Sequence, residues 1–111
     1  MRLAYLGATL LAATSLVGCG TPLPPDRAAY AGEWQGTGVT LSISRDGSLF
    51  FEKVAGGSRS RIKGPIQGFV GDNISVGVLF IKSTIAVSQP PTETNGVWTM
   101  TVEGIEVTRA P

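Results

Sequence analysis

The chain has 111 residues, a formal net charge of +1, one cysteine and no histidine. So small a positive excess sets nucleic acid aside as a partner, because binding to polyphosphate draws its strength from clustered Lys and Arg that release counterions. The missing histidine removes the commonest general base and the commonest metal ligand, and a lone cysteine closes no internal disulfide.

Met1-Arg2 is followed by LAYLGATLLAATSLVG, an apolar or small-residue stretch from Leu3 to Gly18. At ~1.5 Å per residue it would reach roughly 24 Å as a helix, short of the ~30 Å hydrocarbon core of a bilayer. A charged start, a short apolar middle and small residues at the end predict a cleaved secretory signal over 1–18. Its end, Leu16-Val17-Gly18-Cys19, resembles the lipobox of bacterial lipoproteins. The resemblance implies that Cys19 bears a thioether-linked diacylglycerol, that cleavage falls just before it, and that the new amine is acylated. Gly20 follows where an aspartate would imply retention at the inner membrane, so the resemblance implies an outer-membrane lipoprotein facing the periplasm. Two or more acyl chains anchor stably where one does so only marginally. Such a cysteine would hold a domain at a membrane with no spanning segment.

Residues 19–26 carry the run GTPLPPD after the cysteine. Its prolines predict an extended tether of ~3.1 Å per residue, which would set the following domain roughly 20 Å from the lipid. Arg2 would leave with the signal, and the remaining basic and acidic residues then balance.

Residues 27–111 read as one antiparallel β domain, large enough for a single core. Only Pro24–Ala31 suits a helical turn. From Gly32 onward apolar residues recur at every second position, and turn dipeptides break the run at short intervals. Val39, Leu41 and Ile43 alternate with polar residues, and SLFFEKV, SRSRIKG, ISVGVLFIK, TIAVS, VWTMTV and IEVTR follow as further strands. The run Gly36-Thr37-Gly38 reads as a bend in the first strand, and Ser88–Gly96 as a long polar connection. A three-residue loop Arg45-Asp46-Gly47, with Gly47 left-handed, sets Leu41 opposite Phe51 and Ile43 opposite Leu49. A two-residue loop would instead bring Glu52 into the apolar row, at a cost of several kcal/mol for a buried unpaired carboxylate. Around Glu103-Gly104, Val102 opposes Ile105, Met100 opposes Val107 and Trp98 opposes Arg109, whose guanidinium can stack on the indole.

Gly32-Glu33-Trp34 places a G-x-W at the start of the first strand. This resembles the lipocalin and wider calycin group, whose barrels open with such a tryptophan and close with a late basic residue packed over it. The resemblance implies those roles for Trp34 and Arg109. With so short a chain, it predicts a meander that closes into a narrow or flattened lipocalin-like barrel with little cavity beyond what side chains fill.

No catalytic constellation emerges: the carboxylates are scattered, and no lysine stands in a Ser/Lys motif. No cofactor or metal is expected, and the chain is not expected to be an enzyme. The candidate binding residues are Arg59, Arg61 and Lys63, which share one face of a strand, together with Trp34, Trp98 and Arg109. The cationic stripe suits an envelope protein, an anionic glycan or lipid head groups, or simply protects an edge strand by its charge. The expectation is a membrane-anchored, non-catalytic envelope lipoprotein whose β domain binds a protein partner or envelope component. A carrier of a small apolar ligand or lipid, and an inhibitor of an envelope-directed hydrolase, are the alternatives.

Overall fold

The computed structural model describes residues 22–78 and 81–111. The expected signal and Cys19 lie outside the described residues. A 3-10 turn over Pro25–Tyr30 leads into β1 (Gly32–Gly36), β2 (Val39–Ile43), β3 (Ser48–Ala55), β4 (Ser58–Val70) and β5 (Asn73–Val78). These are followed by β6 (Ile81–Ile85), β7 (Val87–Thr94), β8 (Val97–Val102) and β9 (Ile105–Arg109). The strands form one nine-stranded sheet in the order β6-β5-β4-β3-β2-β1-β9-β8-β7. It is an antiparallel meander that curls through 223° into an open, flattened half-barrel. The antiparallel meander expected from alternation, and the flattened barrel-like form that the resemblance implied, are therefore present.

Alternation sets the inner face. In β2 Val39, Leu41 and Ile43 are buried while Thr40 and Ser42 are only partly so. Leu41 pairs with Phe51 and Ile43 with Leu49, the register that keeps Glu52 out of the core. Gly47 supplies the left-handed residue at φ 93°, and the Ser44 N–H donates to the Ser48 carbonyl at 3.0 Å to close the loop. At the last hairpin Glu103 and Gly104 are both left-handed, and Val102 meets Ile105 as the two-residue turn requires. Trp34, Leu41, Met100, Val102 and Val107 are fully buried from one wall, and Ile74, Val76 and Ile85 from the other.

The Asp46 carboxylate accepts from the Ser44 hydroxyl and from the Ser48 N–H, bonds that favour its charged form and hold its pKa below the ordinary value. A carboxyl with a depressed folded pKa stabilises above its unfolded pKa of ~3.9, and that contribution is lost as pH falls through the folded value. Asp46→Ala is accordingly expected to lower the thermal midpoint slightly at neutral pH. Thermal melts repeated towards pH 2 check this, because the difference from the unaltered protein should shrink to nothing there.

Four readings of the sequence change. Gly36-Thr37-Gly38 is a hairpin turn joining β1 to β2, with Gly36 paired to Val39 and Gly38 at φ 71°. A Cβ on Gly36 would fall 2.5 Å from the Glu106 carbonyl, so the glycine admits β9 as well as ending β1. Residues Ser88–Gly96 are mostly β7, paired with β8 through two register shifts. Pro90 and Pro91, which lack an N–H, fit there because β7 is an edge strand with bulges. The runs ISVGVLFIK and TIAVS are not single strands, since β5 and β6 pair with each other as an antiparallel hairpin and TIAVS is divided between β6 and β7 at Ala86. Finally, the segment expected to be a free extended tether is docked from Leu23 on. Leu23 packs against the core, its N–H donates to the Arg45 carbonyl at 3.1 Å, and Pro25 already begins the 3-10 turn.

Candidate functional site

Two groups of the candidate residues come together in space, and they do so differently. Trp34, Trp98 and Arg109 meet at one end of the half-barrel. β1 and β9 pair with Trp34 opposite Arg109, although the two strands stand at opposite ends of the sequence. The guanidinium carbon lies 4.8 Å from the Trp98 ring centre and 5.6 Å from that of Trp34. Its Nη1 donates to the Ala29 and Ala31 carbonyls, each at 3.2 Å. Gly32 makes room for this: a Cβ there would stand 2.5 Å from the Arg109 Cδ. Trp34 is fully buried, and its Nε1–H donates to the Tyr30 carbonyl at 3.0 Å. The arginine thus ties the 3-10 turn across the end of the core, and the cluster is built as a closure.

Beside it lies an arrangement that sequence reading missed. Arg27 sits 4.9 Å over the Phe69 ring and 3.5 Å from the Asp72 carboxylate. The Tyr30 hydroxyl donates to the Asp72 carbonyl at 3.0 Å. Burial, and then the Asp72 charge, push the Tyr30 pKa up, against the smaller opposing pull of Arg27. These residues pin the β4–β5 turn to the 3-10 turn. Their only sequence signal was a mixture of aromatic and charged residues with no periodicity to link them.

Arg59, Arg61 and Lys63 stand exposed on the outer face of β4, the face that strand alternation assigned them. Arg61 is paired with Glu52 of β3, and its Nε–H donates to that carboxylate at 2.9 Å. Arg59 reaches the same carboxylate at 3.6 Å. Among the described residues no carboxylate lies within ion-pair distance of Lys63. It stands opposite Phe50, beside a hollow of about 330 Å³ lined also by Ser42, Ser44 and Ser48. The face therefore keeps a net positive character after Glu52 has answered part of it. Exposed pairs of this kind are each worth ~0.2–1 kcal/mol, so their effect on stability is small.

No protein-family model, no curated protein and no solved structure matches the chain. Its function must be read from its own residues.

The hollows described, of about 290–420 Å³, lie on the flanks and ends of the half-barrel. The centre-facing Trp34, Leu41, Met100, Val102 and Val107 line none of them. One hollow, of about 420 Å³, forms where Pro22–Pro24 lie beside Ile66–Phe69 of β4. Among the described residues no three acidic or thiol groups gather to hold a metal ion. What the surface offers chemically is charge, exposed backbone and small apolar hollows, which suit reversible binding.

Proposed function

We propose that this protein is a non-catalytic lipoprotein of the bacterial envelope, anchored through Cys19, whose β domain binds a partner protein at the membrane surface. The observation that carries the reading is the short run of sequence between the lipobox cysteine and the docked Leu23. Even fully extended at ~3.5 Å per residue, the connection spans at most roughly 14 Å. An anchor there would hold the end of the half-barrel bearing the Arg45–Gly47 loop close to the lipid, nearer than a free Pro-rich tether would. Ser48–Ala55 then runs outward for roughly 25 Å at ~3.4 Å per residue. The stripe on β4 climbs with it from Lys63 to Arg59. It stands along the wall of the barrel and faces the surrounding compartment, an orientation that favours a protein over lipid head groups.

The two alternatives have less support. A carrier of apolar cargo needs a cavity at the centre of the curl, where Trp34, Leu41 and Met100 are packed. An inhibitor would need a contact loop such as Ser88–Gly96, and those residues are mostly strand.

The anchor has a direct test. In a bacterial host the unaltered chain is expected in the membrane fraction, with a mass that includes diacylglycerol and a further acyl chain. Cys19→Ser is expected in the soluble fraction with its β circular dichroism intact. An unmodified, soluble wild-type chain would refute the anchor.

A further inference from the structure

β4 is shared unequally between its neighbours. Ser58–Pro65 pair with β3, whereas pairing with β5 begins only at Ile66, after which the register shifts. Over the first stretch the side of β4 turned away from β3 has no backbone partner among the described residues.

The hydrogen-bond parity shows what that edge presents. The Ser44 N–H bonds to the Ser48 carbonyl, and the Val54 N–H bonds to the Gly38 carbonyl. Even-numbered residues of β3 therefore turn their backbone groups to β2, and Leu49, Phe51 and Lys53 turn theirs to β4. Their partners Gly64, Ile62 and Ser60 complete that ladder. Arg59, Arg61 and Lys63 are left with N–H and C=O groups directed outward. Pro65 has the same parity, so its missing N–H falls on the open edge and costs the β3 ladder nothing.

Across from this edge, Val76 and Gly77 of β5 and Ile81 and Ser83 of β6 border a groove of about 290 Å³. Arg61, Ile62 and Lys63 line one wall of it, and Val76, Ile81 and Ser83 line the other. Ile81 is 76% exposed although it lies in the row continued by the buried Ile85. An added strand would meet backbone groups along the edge, apolar side chains on its inner side and three cations on its outer side.

We propose that the open edge of β4 receives an extended acidic peptide segment of a partner protein by strand addition. Alternate residues of that segment would be apolar, towards Ile62 and Ile81, and acidic, towards Arg59, Arg61 and Lys63. The charge decides between occupants. A second copy pairing through the same edge would bring two rows of Arg and Lys together, which strand pairing disfavours. An acidic strand meets complementary charge and offers the backbone partners that the edge lacks. This rests on the reading of the protein as a partner-binding module, and it specifies the partner's chemistry.

The test uses the full chain in detergent micelles and a ten-residue peptide of alternating glutamate and valine. The expected result is saturable binding that slows hydrogen exchange at the Arg59, Arg61 and Lys63 amides. A lysine–valine peptide is expected to bind at least tenfold more weakly, and so is the glutamate–valine peptide N-methylated at alternate amides. Lys63→Glu, which breaks no ion pair among the described residues, is expected to weaken the acidic peptide on the order of tenfold and to favour the basic one. Equal binding of the N-methylated peptide would overturn strand addition. Absent protection at the three amides, or protection that rises with protein concentration without peptide, would overturn the proposed occupant. Partition of the same preparation between detergent and aqueous phases reports on the anchor separately, so failure of one reading leaves the other measurable.

Discussion

Trp34→Ala is expected to be the most damaging single substitution in the domain, with a loss of about 3–5 kcal/mol from the vacated volume alone. The indole is fully buried, pairs with Leu41 on β2 and with Arg109 on β9, and so sits where the two ends of the meander join. Its removal also leaves the Tyr30 carbonyl without the Nε1–H donor, at a further cost of about 1–3 kcal/mol if water cannot reach it. Small domains are stable by ~5–15 kcal/mol in total, so a large share of the margin would go. The thermal midpoint should fall by roughly 15–30 °C, at ~4–8 °C per kcal/mol for a domain of this size. Trp34→Phe keeps a buried ring but not the donor, and should cost about 1–2 kcal/mol. Urea unfolding followed by circular dichroism checks both, and a loss below ~1 kcal/mol for the alanine variant would mean that the closure does not depend on this side chain.

Much of this construction was legible because strand pairing obeys local arithmetic. Loop length and alternation place Leu41 against Phe51 and Met100 against Val107, since one wrong step in the first hairpin would bury Glu52. The same arithmetic applied to Gly56-Gly57 places Glu52 opposite Arg61, so the ion pairs on the outer face were also within reach of the sequence. The illegible parts depend on chain segments with no period. Pro90 and Pro91 look like a loop because bulges on an edge strand accommodate them without any local signature. Leu23 looks like part of a linker because its partner, the Arg45 carbonyl, is set by tertiary packing. The break in pairing along β4 is likewise a property of how two parts of the sheet diverge, and no residue in SRSRIKG announces it. Residues of the closure could be named from sequence, whereas the open edge required the fold.

Arg109→Ala is expected to cost about 4 kcal/mol, the low end of the several contributions that one side chain makes at once. Hydrogen bonds from a charged donor are worth ~1.5–3 kcal/mol, and the Ala29 and Ala31 carbonyls each accept one. Stacking on the indoles of Trp98 and Trp34 adds ~0.5–1 kcal/mol apiece, more where water is excluded. Arg109→Lys keeps the charge but not the planar fork, so it should recover only part of the loss. A double-mutant cycle isolates the stack. Trp98→Ala alone leaves the carbonyl bonds in place, and Arg109→Ala alone leaves the indole packed against the inner face. The double variant should therefore lose about 1 kcal/mol less than the sum of the two single losses. Urea denaturation of the four proteins measures this coupling. Strict additivity would show that the Trp98 indole is a neighbour without energetic contact, and that the guanidinium ties the end of the half-barrel through its hydrogen bonds and Trp34.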